Sequence, residues 1–340
     1  MKAAVFKGLK KPLEVETIPD PTPGPKDVVL KVHRCGICGS DLHIAEDPAF
    51  HYPVGGILGH EYSGQVVAVG REVKRIKTGD RIAAFPLESC GECGPCKSGD
   101  PAACTVRFAV GGGGYGQFSK VEEHQCIRMP SSVSLEDGAL VEPMAVGLHA
   151  VNVSKIRSGA RVLVIGAGPI GLTTIFWARR MMGAGKIAVT ASSRTREGLA
   201  MEMGGDAFID PAADLQSAVR LTNEALGGPP EIVFECVGKV GLVQRCIDQV
   251  GKRGTVVIVG LCTAEDHYRP FAVIHKECTI VPSAFYDIRD FETCLDALNR
   301  GDTVPEEMVT DHVDLAHMPA AFEALKQRST QCKVMIEPNG

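Results

Sequence analysis

Residues 162–171 read VLVIGAGPIG, an apolar strand running into a glycine turn and the start of a helix. Gly166, Gly168 and Gly171 supply the spacing G-x-G-x-x-G. In that spacing the first glycine turns the chain, the second lets the backbone approach a pyrophosphate, and the third lets helix pack on strand. Pro169 and Ile170 open the helix, whose N-terminal amides face phosphate oxygens. A glycine-rich loop need not bind anything, so the match carries weight only in context. The context is present. Apolar runs at 162–166, 186–190 (KIAVT), 207–210 (AFID), 231–238 (EIVFECVG), 255–260 (TVVIVG) and 278–283 (CTIVPS) alternate with helical segments. That alternation predicts βαβ units and one doubly wound α/β domain with a parallel six-stranded sheet, over 148–284.

The second strand decides which dinucleotide fits. An acid about 20 residues beyond the glycines would grip a bare ribose 2′-hydroxyl. Residues 186–197 read KIAVTASSRTRE, with no acid between Lys186 and Glu197. Ser192, Ser193 and Arg194 stand there instead, and hydroxyls with a guanidinium suit a 2′-phosphate. The reading favours NADP over NAD. The alternative is that Arg194 merely caps the solvated face of the next helix.

Outward from this core the pattern changes. Residues 1–120 are β-rich, with short alternations such as VVLKVH (28–33) and GQVVAVG (64–70) between turn sequences PDPTPGPKD (19–27) and KTGD (77–80). Two amphipathic stretches, FETCLDALNRG (291–301) and PAAFEALKQR (319–328), and a strand, KVMIEP (333–338), close the chain. They are too few to fold alone. The Rossmann unit therefore reads as an insertion in a first domain made of 1–147 and 285–340.

Net charge is −5 and no lysine- or arginine-rich block occurs, which argues against nucleic acid and anionic membrane as partners. No apolar run reaches the roughly 18 residues of a membrane span, and MKAAVFKGLKK lacks a signal-peptide core, so a cytoplasmic protein is expected. Its thirteen cysteines then point to metal rather than to disulfides.

Cys90, Cys93, Cys96 and Cys104 follow C-x2-C-x2-C-x7-C. Four thiolates separated by turn residues close a tetrahedron around zinc and leave no open position, so such a site is structural. An iron–sulfur site is the rival, but those runs use tighter final spacing and come in pairs. A second, mixed group offers Cys35, Cys38, Ser40, Asp41 and His43 in RCGICGSDLH, His60 and Glu61 in GHEYSG, and Glu142 in VEPMAVGLHA. Cys35 and Cys38 could be a redox pair, although their β-rich, glycine-punctuated surroundings do not suit one. A thiolate, an imidazole and carboxylates leave room for water or substrate, as a catalytic zinc requires.

These constellations together resemble the zinc-containing medium-chain dehydrogenases, particularly the sorbitol dehydrogenase-like branch, over essentially the whole chain. The resemblance implies a GroES-like β-rich catalytic domain beside the Rossmann domain. It implies two zinc ions per chain, with Cys38, His60 and either Glu61 or Glu142 holding the catalytic one. Ser40 would match the hydroxyl that touches the substrate oxygen and His43 an outer relay residue. The implied reaction is hydride transfer between an alcohol or polyol, or the matching ketone or aldehyde, and the nicotinamide. A homo-oligomer, dimer or tetramer, is implied too. The glycine-rich loop TVRFAVGGGGYGQF (105–118) would border the substrate cleft, with Phe50, Tyr52, Phe108, Tyr115 and Phe285 as candidate lining residues. Two readings compete: a zinc-independent quinone or enoyl reductase of the same superfamily, and a non-catalytic zinc-binding protein with a vestigial fold.

Overall fold

The computed structural model describes residues 1–209, 214–327 and 330–340. The chain divides into two compact units, Met1–Glu142 with Tyr286–Gly340, and Pro143–Phe285. Asp210 of the AFID run and Arg328 at the end of PAAFEALKQR lie outside the described residues.

The second unit is built on strands Arg161–Ile165, Lys186–Thr190, Ala207–Ile209, Ile232–Glu235, Thr255–Ile258 and Thr279–Pro282. They lie side by side in the order third, second, first, fourth, fifth, sixth, and every neighbouring pair is parallel. Crossover helices cover both faces of such a sheet, which is why the strands are near-continuous apolar runs. Leu163, Ala188, Val233 and Val256 are buried in one cluster with Ile209, Leu226, Cys246 and Ile247. The strand order reverses beside Arg161–Ile165, and there the chain turns through Gly166–Gly168 into helix Pro169–Arg180. Ligands of open α/β sheets bind at such switch points, beyond the carboxyl ends of the strands.

The first unit contains a seven-stranded sheet. Its main path runs Val309–Asp314, Lys333–Glu337, Asp27–Gly36, Glu61–Val69, Arg81–Ala84, Cys126–Arg128, with Phe118–Glu122 also on Asp27–Gly36. The C-terminal strand pairs antiparallel with Asp27–Gly36, setting Ile336 opposite Cys35. Helices Ile288–Asn299 and Met318–Leu325 belong to the same unit. Their apolar faces explain the spacing seen in the sequence: Phe291, Cys294, Leu295 and Leu298 are buried along the first, Met318 and Phe322 along the second. Register also brings Glu61 opposite Gly36. A Cβ at Gly36 would lie 2.0 Å from Glu61 Oε2, so only glycine leaves room for that carboxylate.

Candidate active site

The site begins at a helix terminus. Cys38 is the N-cap of helix Gly39–Glu46, and Asp41, three residues on, closes the cap by accepting the Cys38 N–H through Oδ2 at 3.2 Å. The same oxygen accepts the Tyr115 hydroxyl at 2.6 Å. Asp41 Oδ1 is buried and faces His60 Nδ1 at 3.3 Å. The carboxylate's charge beside Nδ1 favours the proton there and so a bare Nε2 for a metal, although the pair meets as an ion-pair contact rather than a hydrogen bond. Burial works against a charged His60, but the Asp41 carboxylate and the neighbouring Cys38 sulfur outweigh it and hold the imidazole well above its ordinary pKa.

Ligand atoms of Cys38, His60 and Glu61 lie within 4.8 Å of one another. Ser40 sits at their edge, its hydroxyl 3.2 Å from Cys38 Sγ and 3.4 Å from His60 Nε2. His43 lies in the same helix, its ring 6.3 Å from that of Phe50. Cys35 turns away into the core, where it packs among Gly59, Gly114 and the strands, and all thirteen cysteines are free thiols. Cys35 thus packs in the core while Cys38 joins Ser40 and His60.

Two buried carboxylates stand at this cluster with different partners. Lys333 donates to both Glu61 oxygens at 2.7 and 2.6 Å, and both side chains are almost wholly buried. Burial acts against the lysine's charge, but Glu61 outweighs it and raises its pKa. Glu142 lies outside the Cys38–His60–Glu61 group and accepts the Tyr286 hydroxyl at 2.7 Å. Burial pushes Glu142 up to about 7, against the pull of His60. Among the described residues, Cys38, Asp41, Glu61 and Glu142 thus share one lysine, Lys333, and one imidazole, His60. Such a buried set is short of positive charge, and a zinc ion would supply it.

The four-cysteine lobe passes a stricter test. Its sulfur atoms lie within 4.8 Å of one another, and three of the separations are 3.4, 3.8 and 3.9 Å. A tetrahedron with zinc–sulfur bonds of about 2.3 Å has edges of about 3.8 Å. Backbone amides already point at the sulfurs, from Cys90 to Cys104 and from Glu92 and Cys93 to Cys90. The Arg107 amide leads the set that draws Cys104 down to about 6, whereas burial pushes Cys96 up to about 11.

At the glycine turn, Gly166 has φ +111°, and a Cβ on Gly171 would lie 1.9 Å from Gly166 O. At Gly168, by contrast, a Cβ would meet nothing closer than Arg196 Nη1 at 3.9 Å, and no side chain caps the helix that it starts. Amides of Pro169–Arg180's first turn are therefore available to a phosphate. Ser192 and Ser193 are exposed beyond the second strand. Arg194 is committed elsewhere. Its Nε and Nη2 donate to Glu197 at 2.8 and 2.6 Å, and it lies over the Phe208 ring at 5.8 Å. This is the helix-face alternative, and its cause is the carboxylate three residues on. Arg196 is the cation that reaches the glycine turn, donating to Ala167 O at 3.4 Å.

The family described as "Alcohol dehydrogenase GroES-like domain" matches residues 24–131, and "Zinc-binding dehydrogenase" matches residues 169–300. The (R,R)-butanediol dehydrogenase of Bacillus subtilis is 32% identical over 100% of both chains. The chain belongs to the zinc-containing medium-chain alcohol/polyol dehydrogenases. Sorbitol dehydrogenase of Halalkalibacterium halodurans is 32% identical over 95% of each chain. A Sinorhizobium meliloti protein described as a zinc-binding dehydrogenase, solved with NADP, has a TM-score of 0.88 at 29% identity and 99% coverage of both chains. An Escherichia coli alcohol dehydrogenase solved with NADH has a TM-score of 0.89 at 26% identity and the same coverage.

Within this dehydrogenase, sequence reasoning missed Lys333 and Tyr286 and left Asp41 without a role. Only the capping-box spacing from Cys38 to Asp41 could have flagged one of them. The glycine-rich loop also has a plain packing cause. A Cβ at Gly112 would lie 2.3 Å from Ile57 O, and one at Gly114 would lie 2.4 Å from Cys35 Sγ. Of the aromatic residues proposed to line a cleft, Tyr115 is buried behind Asp41, Tyr52 donates to Ile57 O at 2.6 Å, and Phe108 is exposed. Phe285 is exposed as well and has φ +61°.

Proposed function

We propose that this dehydrogenase transfers hydride between a small alcohol or polyol, or the matching ketone or aldehyde, and NADP(H), with one catalytic and one structural zinc per chain. The observation that carries the reading is the Cys38, His60 and Glu61 cluster with the Ser40 hydroxyl at its edge. Cys38, His60 and Glu61 would hold the catalytic ion; Cys90, Cys93, Cys96 and Cys104 would hold the other. When bound, zinc polarises the substrate oxygen and the nicotinamide accepts the hydride.

The protein's own groups do the rest. Ser40 takes the proton from the substrate oxygen and passes it outward, with His43, in the next turn of the helix, as the outer relay. Asp41 fixes the His60 tautomer, and Lys333 holds Glu61 at the ligand cluster. Gly168 and the first turn of Pro169–Arg180 cradle the pyrophosphate. The zinc-bearing domain is the unit of residues 1–142 and 286–340; the dinucleotide domain is residues 143–285. A homo-oligomer is part of the reading. Thr279–Pro282 ends the sheet order of its unit, and Phe271 and Ile274 nearby are exposed by 76% and 71%. The thiol clusters suit the reducing cytoplasm.

NADP is favoured because no acid stands between the second strand and Glu197, where a bare ribose would be gripped, and because Arg196 reaches the turn. Solved neighbours carry NADP in one case and NADH in another, so the chain's own residues must decide. The test is a panel of secondary alcohols and polyols followed with both cofactors. A charge-assisted phosphate contact is worth at least about tenfold in kcat/KM. Arg196→Ala should remove that preference, and Arg194→Ala should leave it. Equal use of NAD and NADP by the wild type would overturn the cofactor assignment, and no turnover on any alcohol would overturn the reaction.

A further inference from the structure

Glu142 and Tyr286 are the residues at which the chain leaves and re-enters the first unit. They are 144 positions apart, yet the phenol of one donates to the carboxylate of the other at 2.7 Å, in the buried interior. The bond is not incidental, because the Tyr286 ring is fixed on two sides. Phe85 meets it edge-on at 5.5 Å, and Phe291 lies at 5.7 Å. Phe85 and Phe291 are themselves in contact and almost wholly buried. Phe291 is anchored by helix Ile288–Asn299, whose N-cap, Asp287, follows Tyr286 and forms a reciprocal cap with Asp290. Preceding Tyr286, Phe285 takes a left-handed φ of +61°, a conformation costly for a bulky residue and held only where the surroundings over-determine it.

Glu142 is therefore held by a rigidly mounted donor beside a ligand cluster that it does not join. A carboxylate released next to a metal with an open position would take that position, where substrate oxygen must bind. We propose that Tyr286 is a positioning residue that holds Glu142 out of the coordination shell formed by Cys38, His60 and Glu61 and so keeps one place open for substrate. The proposal rests on the zinc-dehydrogenase reading above and adds a residue to it.

The test uses the purified holoenzyme with cobalt exchanged into the Cys38 site, whose visible spectrum reports coordination. Wild type, Tyr286→Phe, Glu142→Gln and the double variant are compared. Tyr286→Phe frees Glu142, so the cobalt spectrum should shift toward higher coordination and metal loss to a small chelator should slow by about tenfold, the size of effect a residue supporting a metal site has. KM for alcohol should rise as well. Glu142→Gln and the double variant should keep the wild-type spectrum and release rate, since the amide does not take the carboxylate's place on the ion. If Tyr286→Phe leaves spectrum and release rate unchanged, Tyr286 is only a packing residue and the proposal is wrong. Should Tyr286→Phe not fold, Glu142→Gln decides alone. Faster metal loss in that variant would make Glu142 a resting ligand and overturn the proposal, and wild-type loss would support it. Failure of the underlying reading looks different: the wild type would then bind no metal at Cys38 in the first place.

Discussion

Asp41 spends each of its oxygens on a different part of the site. Oδ2 takes the Cys38 amide and the Tyr115 hydroxyl, and Oδ1 faces His60 Nδ1. Asp41→Asn keeps the shape and changes the donors. If the amide nitrogen faces His60, the imidazole must accept at Nδ1 and carry its proton on Nε2, the atom that faces Cys38 and Ser40. We expect metal affinity at the Cys38 site to fall about 10–100-fold, with turnover falling alongside and recovering at high zinc. Chelator competition on the variant measures it, and wild-type affinity would show that Asp41 has no part in orienting His60. The residues that do this orienting were the least legible in the sequence. Cys38, His60 and the four lobe cysteines carry chemistry in their side-chain type and spacing. Lys333 reaches Glu61 across 272 positions, Tyr286 reaches Glu142 across 144 and Tyr115 reaches Asp41 across 74. The first pairing comes from strand register, since both residues sit on strands beside Asp27–Gly36, and the other two join loop tyrosines to helix carboxylates; local spacing encodes none of them. Arg194 and Arg196 show the same limit at short range: composition marked a cationic turn, and the neighbouring Glu197 decided that Arg194 lies along the helix face while Arg196 reaches Ala167 O.

Elements were far easier to read than contacts. Each apolar run of the dinucleotide unit became a parallel strand, because a strand buried on both faces must be apolar along its length. The amphipathic stretches near the C-terminus became helices for the matching reason of period. The cysteine lobe is the opposite kind of element. It holds a five-residue helix, a single 3-10 turn and a left-handed Gly99, with little apolar burial of its own. On the proposed reading, an element of this kind would owe its order to the metal its thiolates would enclose. Cys93→Ser should therefore lower the melting temperature by several degrees, at roughly 2–4 °C per kcal/mol for a unit of this size, while zinc stays at the Cys38 site. Calorimetry with metal analysis checks it. Full stability with loss of turnover alone would reverse the roles assigned to the two metals.

For the whole molecule the two ligand sets predict two zinc ions of unequal lability. The lobe offers four thiolates and no vacancy, so a chelator finds no place to attack. The Cys38 set offers three protein ligands and keeps a position for substrate, and a small chelator can enter by that same position. Metal removal should then proceed in two phases. In the first, one zinc leaves, activity falls in step, and the melting temperature and dinucleotide binding change little, because Gly166, Gly168 and Gly171 belong to a separate unit. In the second, the remaining zinc leaves and the first unit loses stability. Adding zinc back after the first phase should restore activity without a refolding delay. Native mass spectrometry counts the ions while an activity assay and a thermal melt run on the same samples. Simultaneous loss of both ions, a total of one per chain, or iron in place of zinc would each defeat the two-site assignment. Loss of activity only in the slower phase would mean that the lobe, rather than the Cys38 set, carries the chemistry.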